Sequence, residues 1–281
     1  MVLLLSLCSA VAYGLSDFVG GVVTRRSSVW PVAATSQATA AVLAMGLAAT
    51  NPGDPGFGDL WWGALAGLGS GAGNVLIYQG LARGRMAVVA PLSAITTAAL
   101  PMLVGLSTGE RPGTLAVAGV LTALPAIWMI STAGSGLRHA DRADLANGLM
   151  AGLGFGVQFS ALGQVGEQAG LTPLAVSQVV SVVAIVIGAA AMSTPWMPRD
   201  RYSRLGAVAG LLAGVATVCF QLAAQRGLLT IAGVVASLYP AVTVLLAVAV
   251  LREGIHRTQA AGLALAVVAV ALIATGCSTG H

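Results

Sequence analysis

The chain has 281 residues, 57% of them hydrophobic and 8% charged, with a mean hydropathy of +0.90 and a formal net charge of +4. A soluble domain of this length carries about a quarter charged residues, so the composition excludes a soluble protein and specifies an integral membrane one. All 13 basic residues are arginine, which excludes a Walker A loop and a Schiff-base lysine, and with them P-loop ATP hydrolysis and pyridoxal chemistry.

Ten apolar runs follow one another, each near the roughly 20 residues that a bilayer-spanning helix needs. The first, 2–23, holds one charge, Asp17. Its Ala10-Val11-Ala12 resembles a signal cleavage site, but the run lacks a positive leader and reads as a retained helix. Runs 31–50 and 60–81 follow, separated by "NPGDPGFGD" at 51–59. Within the third, "GLGSGAGN" imitates a dinucleotide-binding fingerprint. No strand precedes it, so close helix packing through small residues explains it better.

Runs 86–107 and 113–133 complete the first half, with Glu110-Arg111-Pro112 between them. A connecting loop, 134–144, leads to runs 145–166, 172–192, 203–224, 229–250 and 258–276. Cys8, Cys219 and Cys277 are scattered singly, and His139, His256 and His281 lie in loops or at the terminus. No metal-ligand spacing or disulfide pattern results, and no cofactor is implied. The basic excess reports loop charge and gives no case for nucleic acid.

A shift of 143 residues brings Gly63-Ala64 onto Gly206-Ala207 and Ala66-Gly67-Leu68 onto Ala209-Gly210-Leu211. The same shift carries Gly71, Arg83-Gly84, Glu110 and Gly119 onto Gly214, Arg226-Gly227, Glu253 and Gly262. A shift of 141 carries Phe18 onto Phe159 and Ser36-Gln37 onto Ser177-Gln178. The sequence therefore predicts an all-α membrane protein of ten transmembrane helices, built as two five-helix repeats, 1–133 and 145–281. Five is odd, so the second repeat enters the membrane upside down relative to the first. Inverted repeats let a central site open to one side and then the other, which points to a secondary transporter.

"ASLYPAVTVLLAVAVLREGIHRTQAAGLAL", residues 236–265, resembles the end of an EamA-type domain of the drug/metabolite transporter superfamily. That family places a proline thirteen residues before a glutamate and a glycine nine residues after it; Pro240, Glu253 and Gly262 fit. In the first repeat Glu110 and Gly119 fit, but Thr97 holds the proline position, with prolines at 91 and 101 instead. Tyr13-Gly14 with Phe18 is similar to the family's Trp-Gly and Phe opening. The resemblance implies two such domains around a central cavity.

Mapping one repeat onto the other pairs Asp17 with Gln158, Gln37 with Gln178, Asn74 with Thr217 and Tyr78 with Gln221. Polar groups at membrane depth are costly unless partnered or facing water. The pairs on the first and third helices of each repeat read as cavity lining, and Gln37 with Gln178 as interhelical hydrogen bonds. The expected substrate site is Tyr13, Asp17, Asn74, Tyr78, Gln158 and Gln221, with Tyr239 beside them. No arginine or lysine lies at membrane depth to neutralise Asp17, which makes it the expected proton-coupling or cation-binding carboxylate. Glu110 and Glu253, at the turns opening the fifth and tenth helices, read as caps, and Glu167 has no assigned role.

The function expected is movement of a small metabolite or amphiphilic compound across the cytoplasmic membrane, in a multi-pass protein of bacterial type. Proton-coupled export and facilitated exchange both stay open at this point, as does the oligomeric state. A membrane-embedded enzyme needs clustered catalytic groups, which nine dispersed acids do not supply. A scaffold subunit gives no reason for matched polar pairs. Loops on the side of the termini carry Arg111 and Arg226 alone, against eleven arginines opposite. The positive-inside rule then puts the termini outside the cytoplasm, whereas the family resemblance implies the reverse.

Overall fold

The structure is a computed structural model that describes residues 1–82, 86–131, 142–252 and 254–278. These residues form eleven α-helices and no strand: α1 (Val2–Thr24), α2 (Val29–Thr50), α3 (Phe57–Ala82), α4 (Met86–Ser107), α5 (Thr114–Ser131), α6 (Arg142–Leu162), α7 (Thr172–Ala191), α8 (Arg201–Gln225), α9 (Leu229–Ala236), α10 (Tyr239–Leu251) and α11 (Arg257–Ser278). All ten apolar runs are helical. The sixth helix starts inside the expected connecting loop, at Arg142, and ends four residues early. Most of that loop, and Glu253, lie outside the described residues.

The ninth run is two helices. Pro240 has no N–H to donate back into a preceding turn, and the helix stops at Ala236 and restarts at Tyr239, with Pro240 in the first turn of α10. There the missing donor costs nothing. The first repeat has Thr97 at the matching position, and α4 runs unbroken. All eight residues of α9 are buried, so the break is an internal feature.

Among the described residues, eight stretches are long and apolar enough to cross a membrane, with α9 and α10 together forming one, Leu229–Val250. In α3, 26 residues long, seven glycines and Asn74 dilute the hydropathy, and α4 contributes the shorter apolar stretch Leu92–Ser107. Val42, Leu121, Ile187 and Val267 are each more than half exposed. Such an apolar surface on four different helices is what a bilayer covers and water does not.

The packing has a reciprocal order. α1 packs on α8 and α10, and α3 on α6 and α7; α2 packs on α7 and α8, α4 on α6 and α9, and α5 on α11. Exchanging first helix for sixth, second for seventh and so on returns the same set of pairs. The repeated glycines occupy matching seats. A Cβ on Gly63 would strike the Pro173 carbonyl, and one on Gly206 the Val32 carbonyl. Gly67 sits on Ser177 and Gly210 on Ser36, Gly119 on Ile273 and Gly262 on Ile130. Backbones come this close only where no side chain intervenes.

The end of the bundle that carries the termini is closed by backbone. Asp54 N–H donates to Gln168 O at 2.8 Å and Leu171 N–H to Asn51 O at 3.1 Å. Gly53 and Gly170 face each other there with φ of 64° and 61°, a conformation and a closeness that only glycine permits. Gly166 N–H also donates to Asp59 Oδ1 at 2.9 Å, joining the start of α3 to the α6–α7 loop. At the opposite end Ser27 Oγ donates to Asp200 Oδ2 at 2.9 Å, joining the α1–α2 loop to the start of α8. Arg26 lies over the Tyr202 ring, 5.6 Å from its centroid.

Candidate functional site

Leu4, Val11 and Val22 mark the lipid-facing side of α1 at 67%, 46% and 36% exposure. Asp17 lies on the other side. Its neighbours at helical spacing, Ala10, Gly14, Gly20, Gly21 and Thr24, are all buried, yet Asp17 itself and Tyr13, one turn earlier, are half-buried. Their exposure is therefore to space between helices. Among the described residues no hydrogen bond or ion pair engages the Asp17 carboxylate, and it is the one charged side chain that lies away from a helix end.

Aromatic residues gather beside it. The Tyr13 ring packs 5.7 Å from Phe159 and 6.3 Å from Tyr239, centroid to centroid. Phe159 stacks on Phe220 at 4.1 Å. The Tyr13 hydroxyl pairs with Thr217 Oγ1 at 2.8 Å, and Gln158 is buried on α6 next in sequence to Phe159. Tyr13 thus joins α1, α6, α8 and α10. The helix break positions Tyr239, because it puts that ring at the start of α10, level with Gly14 of α1. On the other flank the Tyr78 hydroxyl rests on Gly20, where a Cβ would stand 2.8 Å from it.

Of the seven expected site residues, the structure brings Tyr13, Asp17, Gln158, Tyr78 and Tyr239 into one neighbourhood. Asn74, half-buried, donates to the Ser70 carbonyl of its own helix at 3.0 Å. Gln221 points away, its Nε2 donating to the Gly170 carbonyl at 3.1 Å. Sequence reasoning did not single out Phe159 or Phe220 as site residues, although Phe159 appeared in the repeat alignment, while Thr217 was read as cavity lining through its pairing with Asn74. The signal available was the match of Phe159 to Phe18.

Gln37, expected to bond between helices, does so. Its Nε2 donates to Ser70 Oγ at 2.8 Å and Ser181 Oγ at 2.7 Å, tying α2 to α3 and α7. Glu110 caps a helix, but of the other repeat: its two carboxylate oxygens accept from the N–H groups of Leu229 and Thr230 at 2.5 and 2.9 Å. A cavity of about 210 Å³ at the end bearing the termini is lined by Asn51, Glu167, Gln168, Gln225 and Arg226 among others. None of its lining residues is one of the seven.

No group of three metal-ligating side chains occurs among the described residues. The Asp17 neighbourhood holds one charge without a partner among the described residues, together with aromatic rings, hydroxyls and an amide, inside a helical bundle.

The sequence profile of the EamA-like transporter family matches residues 1–132 and again 145–275. No curated protein matches the chain. A crystal structure described only as "protein" is similar with a TM-score of 0.72 at 16% identity, covering 100% of this chain and 99% of the other. That likeness extends the fold to an experimentally determined molecule and says nothing of substrate.

Proposed function

The chain belongs to the EamA-like transporter family, and on that premise we propose a ten-span secondary transporter of the cytoplasmic membrane working by alternating access. Its two inverted repeats, 1–133 and 145–281, enclose a site centred on Asp17 that takes a small metabolite or amphiphilic compound. The observation that carries the reading is reciprocal seating: Gly67 of the first repeat sits on Ser177 of the second, and Gly210 of the second sits on Ser36 of the first. Two halves with the same contacts can exchange conformations at little net cost, which is what alternating access requires. An unpaired carboxylate facing internal space suits proton coupling, since polar groups at membrane depth are retained mainly for function.

Purified protein in proteoliposomes tests this. A solute panel loaded inside should exchange in counterflow, and an inward or outward pH gradient should accelerate net flux. Asp17→Asn should remove the pH-driven component while leaving expression intact. Counterflow that ignores the gradient in the unaltered protein would instead assign facilitated exchange, the reading that remains if Asp17 binds substrate without carrying a proton.

A further inference from the structure

We propose that the Asp17 site selects organic cations, amines or quaternary ammonium ions, over neutral and anionic solutes. This rests on the transporter reading and gives its site a substrate class. Three of the chain's four tyrosines flank Asp17: Tyr13 lies one turn before it on α1, the Tyr239 ring packs 6.3 Å from Tyr13, and the Tyr78 hydroxyl rests on Gly20, one turn after it. Tyr13 and Tyr239 are tilted 57° to one another, and Tyr13 and Phe159 by 45°, so aromatic faces meet at an angle around one turn of α1.

Charge balance decides among solutes. An anion would enter a site that holds a carboxylate, while the described arginines all lie at helix ends or in loops. A neutral solute would displace water from Asp17 and leave the charge buried without a partner, which is costly. A cation pairs with the carboxylate and lies against π-faces, each of which adds roughly 0.5–2 kcal/mol when desolvated. A zwitterion satisfies Asp17 but brings a carboxylate of its own into a site without a cation to meet it.

The test uses full-length protein in detergent, with choline and benzyltrimethylammonium as probes. The uncharged isostere 3,3-dimethylbutan-1-ol and benzoate serve as comparators, and binding is read by calorimetry. Both cations should bind saturably, with choline about tenfold or more tighter than its isostere. Asp17→Asn should lose that preference and Asp17→Glu should keep it, which separates lost charge from a misfolded variant. Tyr13→Leu and Tyr239→Leu should weaken the cations several-fold, and the corresponding phenylalanine variants should not. Isostere or benzoate binding as tight as choline, or full cation affinity in Asp17→Asn, overturns the assignment. Counterflow of neutral or anionic solutes without cation binding removes the cation assignment alone. Absence of flux for every solute tested removes the transporter reading as well.

Discussion

Gln37 and Gln178 occupy matching positions in the two repeats, yet Gln37 donates to two serines while Gln178 has a buried carbonyl oxygen with no partner. The serines explain the difference. Ser70 and Ser181, which receive the Gln37 amide, are replaced at the corresponding places by Ala213 and Ala40. The same side chain at the same helical position is a cross-link in one half and an orphaned acceptor in the other.

Replacing each glutamine by methionine should therefore give opposite results. Gln37→Met removes two hydrogen bonds, leaving Ser70 Oγ only the 3.5 Å contact from Asn74 and Ser181 Oγ without its amide donor, a loss of about 1–3 kcal/mol. Gln178→Met removes an unsatisfied acceptor, and its expected effect on unfolding in detergent is neutral or stabilising. Equal destabilisation of the two variants would mean that Gln178 has a partner in the membrane, such as a water or a bound solute.

The glycine seats give a second contrast. Gly67→Val and Gly210→Val each push a side chain into the backbone of the facing helix, at a cost of roughly 1–3 kcal/mol. The two losses should be similar, because the seats are equivalent. Gly46, in the C-terminal part of α2, has nothing within 4 Å of the place where a Cβ would stand. Gly46→Ala should stabilise by up to about 1 kcal/mol through helix propensity. Melting temperatures of the three variants check all of this.

Most of the architecture was legible in the sequence. Runs of apolar residues between Pro, Gly and Arg clusters give helix boundaries because a bilayer leaves few alternatives. The offset of 143 residues also anticipated which glycines would share seats. The break before Tyr239 was half legible: Pro240 was visible, but a proline thirteen residues before a glutamate does not say that the helix stops and restarts. Within the candidate site, Asp17 and Tyr13 were readable from charge and spacing on their own helix, whereas the place of Tyr239 depends on the helix break. Gln221 was not readable, because its side chain is claimed by the Gly170 carbonyl 51 residues away, and pairing by repeat says nothing about such a contact. Phe159 and Phe220 read as ordinary core until Tyr13 was seen packed against the first of them.

Glu110 predicts local stability in the opposite half. Its carboxylate satisfies the two N–H groups that open α9, and it belongs to the loop before α5. Glu110→Ala should cost about 1–2 kcal/mol, in the range of a lost N-terminal cap, and should raise hydrogen exchange at Leu229 and Thr230. Glu110→Gln keeps one acceptor and should fall between. Faster exchange confined to the start of α5 would place the cap on its own helix instead.

The two ends of the bundle should respond differently to acid. Asp200 accepts from Ser203 N–H at 2.9 Å and from Ser27 Oγ at 2.9 Å. These bonds, the backbone one foremost, hold its carboxyl below the usual range. A depressed value means that the contact contributes in full above the ordinary carboxylate pKa of about 4 and is lost as pH falls through the lower folded-state value. Asp54 to Gln168 and Leu171 to Asn51 at the other end are backbone bonds and do not titrate. Exchange at the Ser203 amide, corrected for its intrinsic rate, should stay slow from pH 8 to about 5 and quicken below about 4. The Leu171 amide should show no such step. Asp200→Asn should flatten the Ser203 profile; if the profile keeps its step, another group controls this end, and the Ser27–Asp200 contact is not what holds it shut.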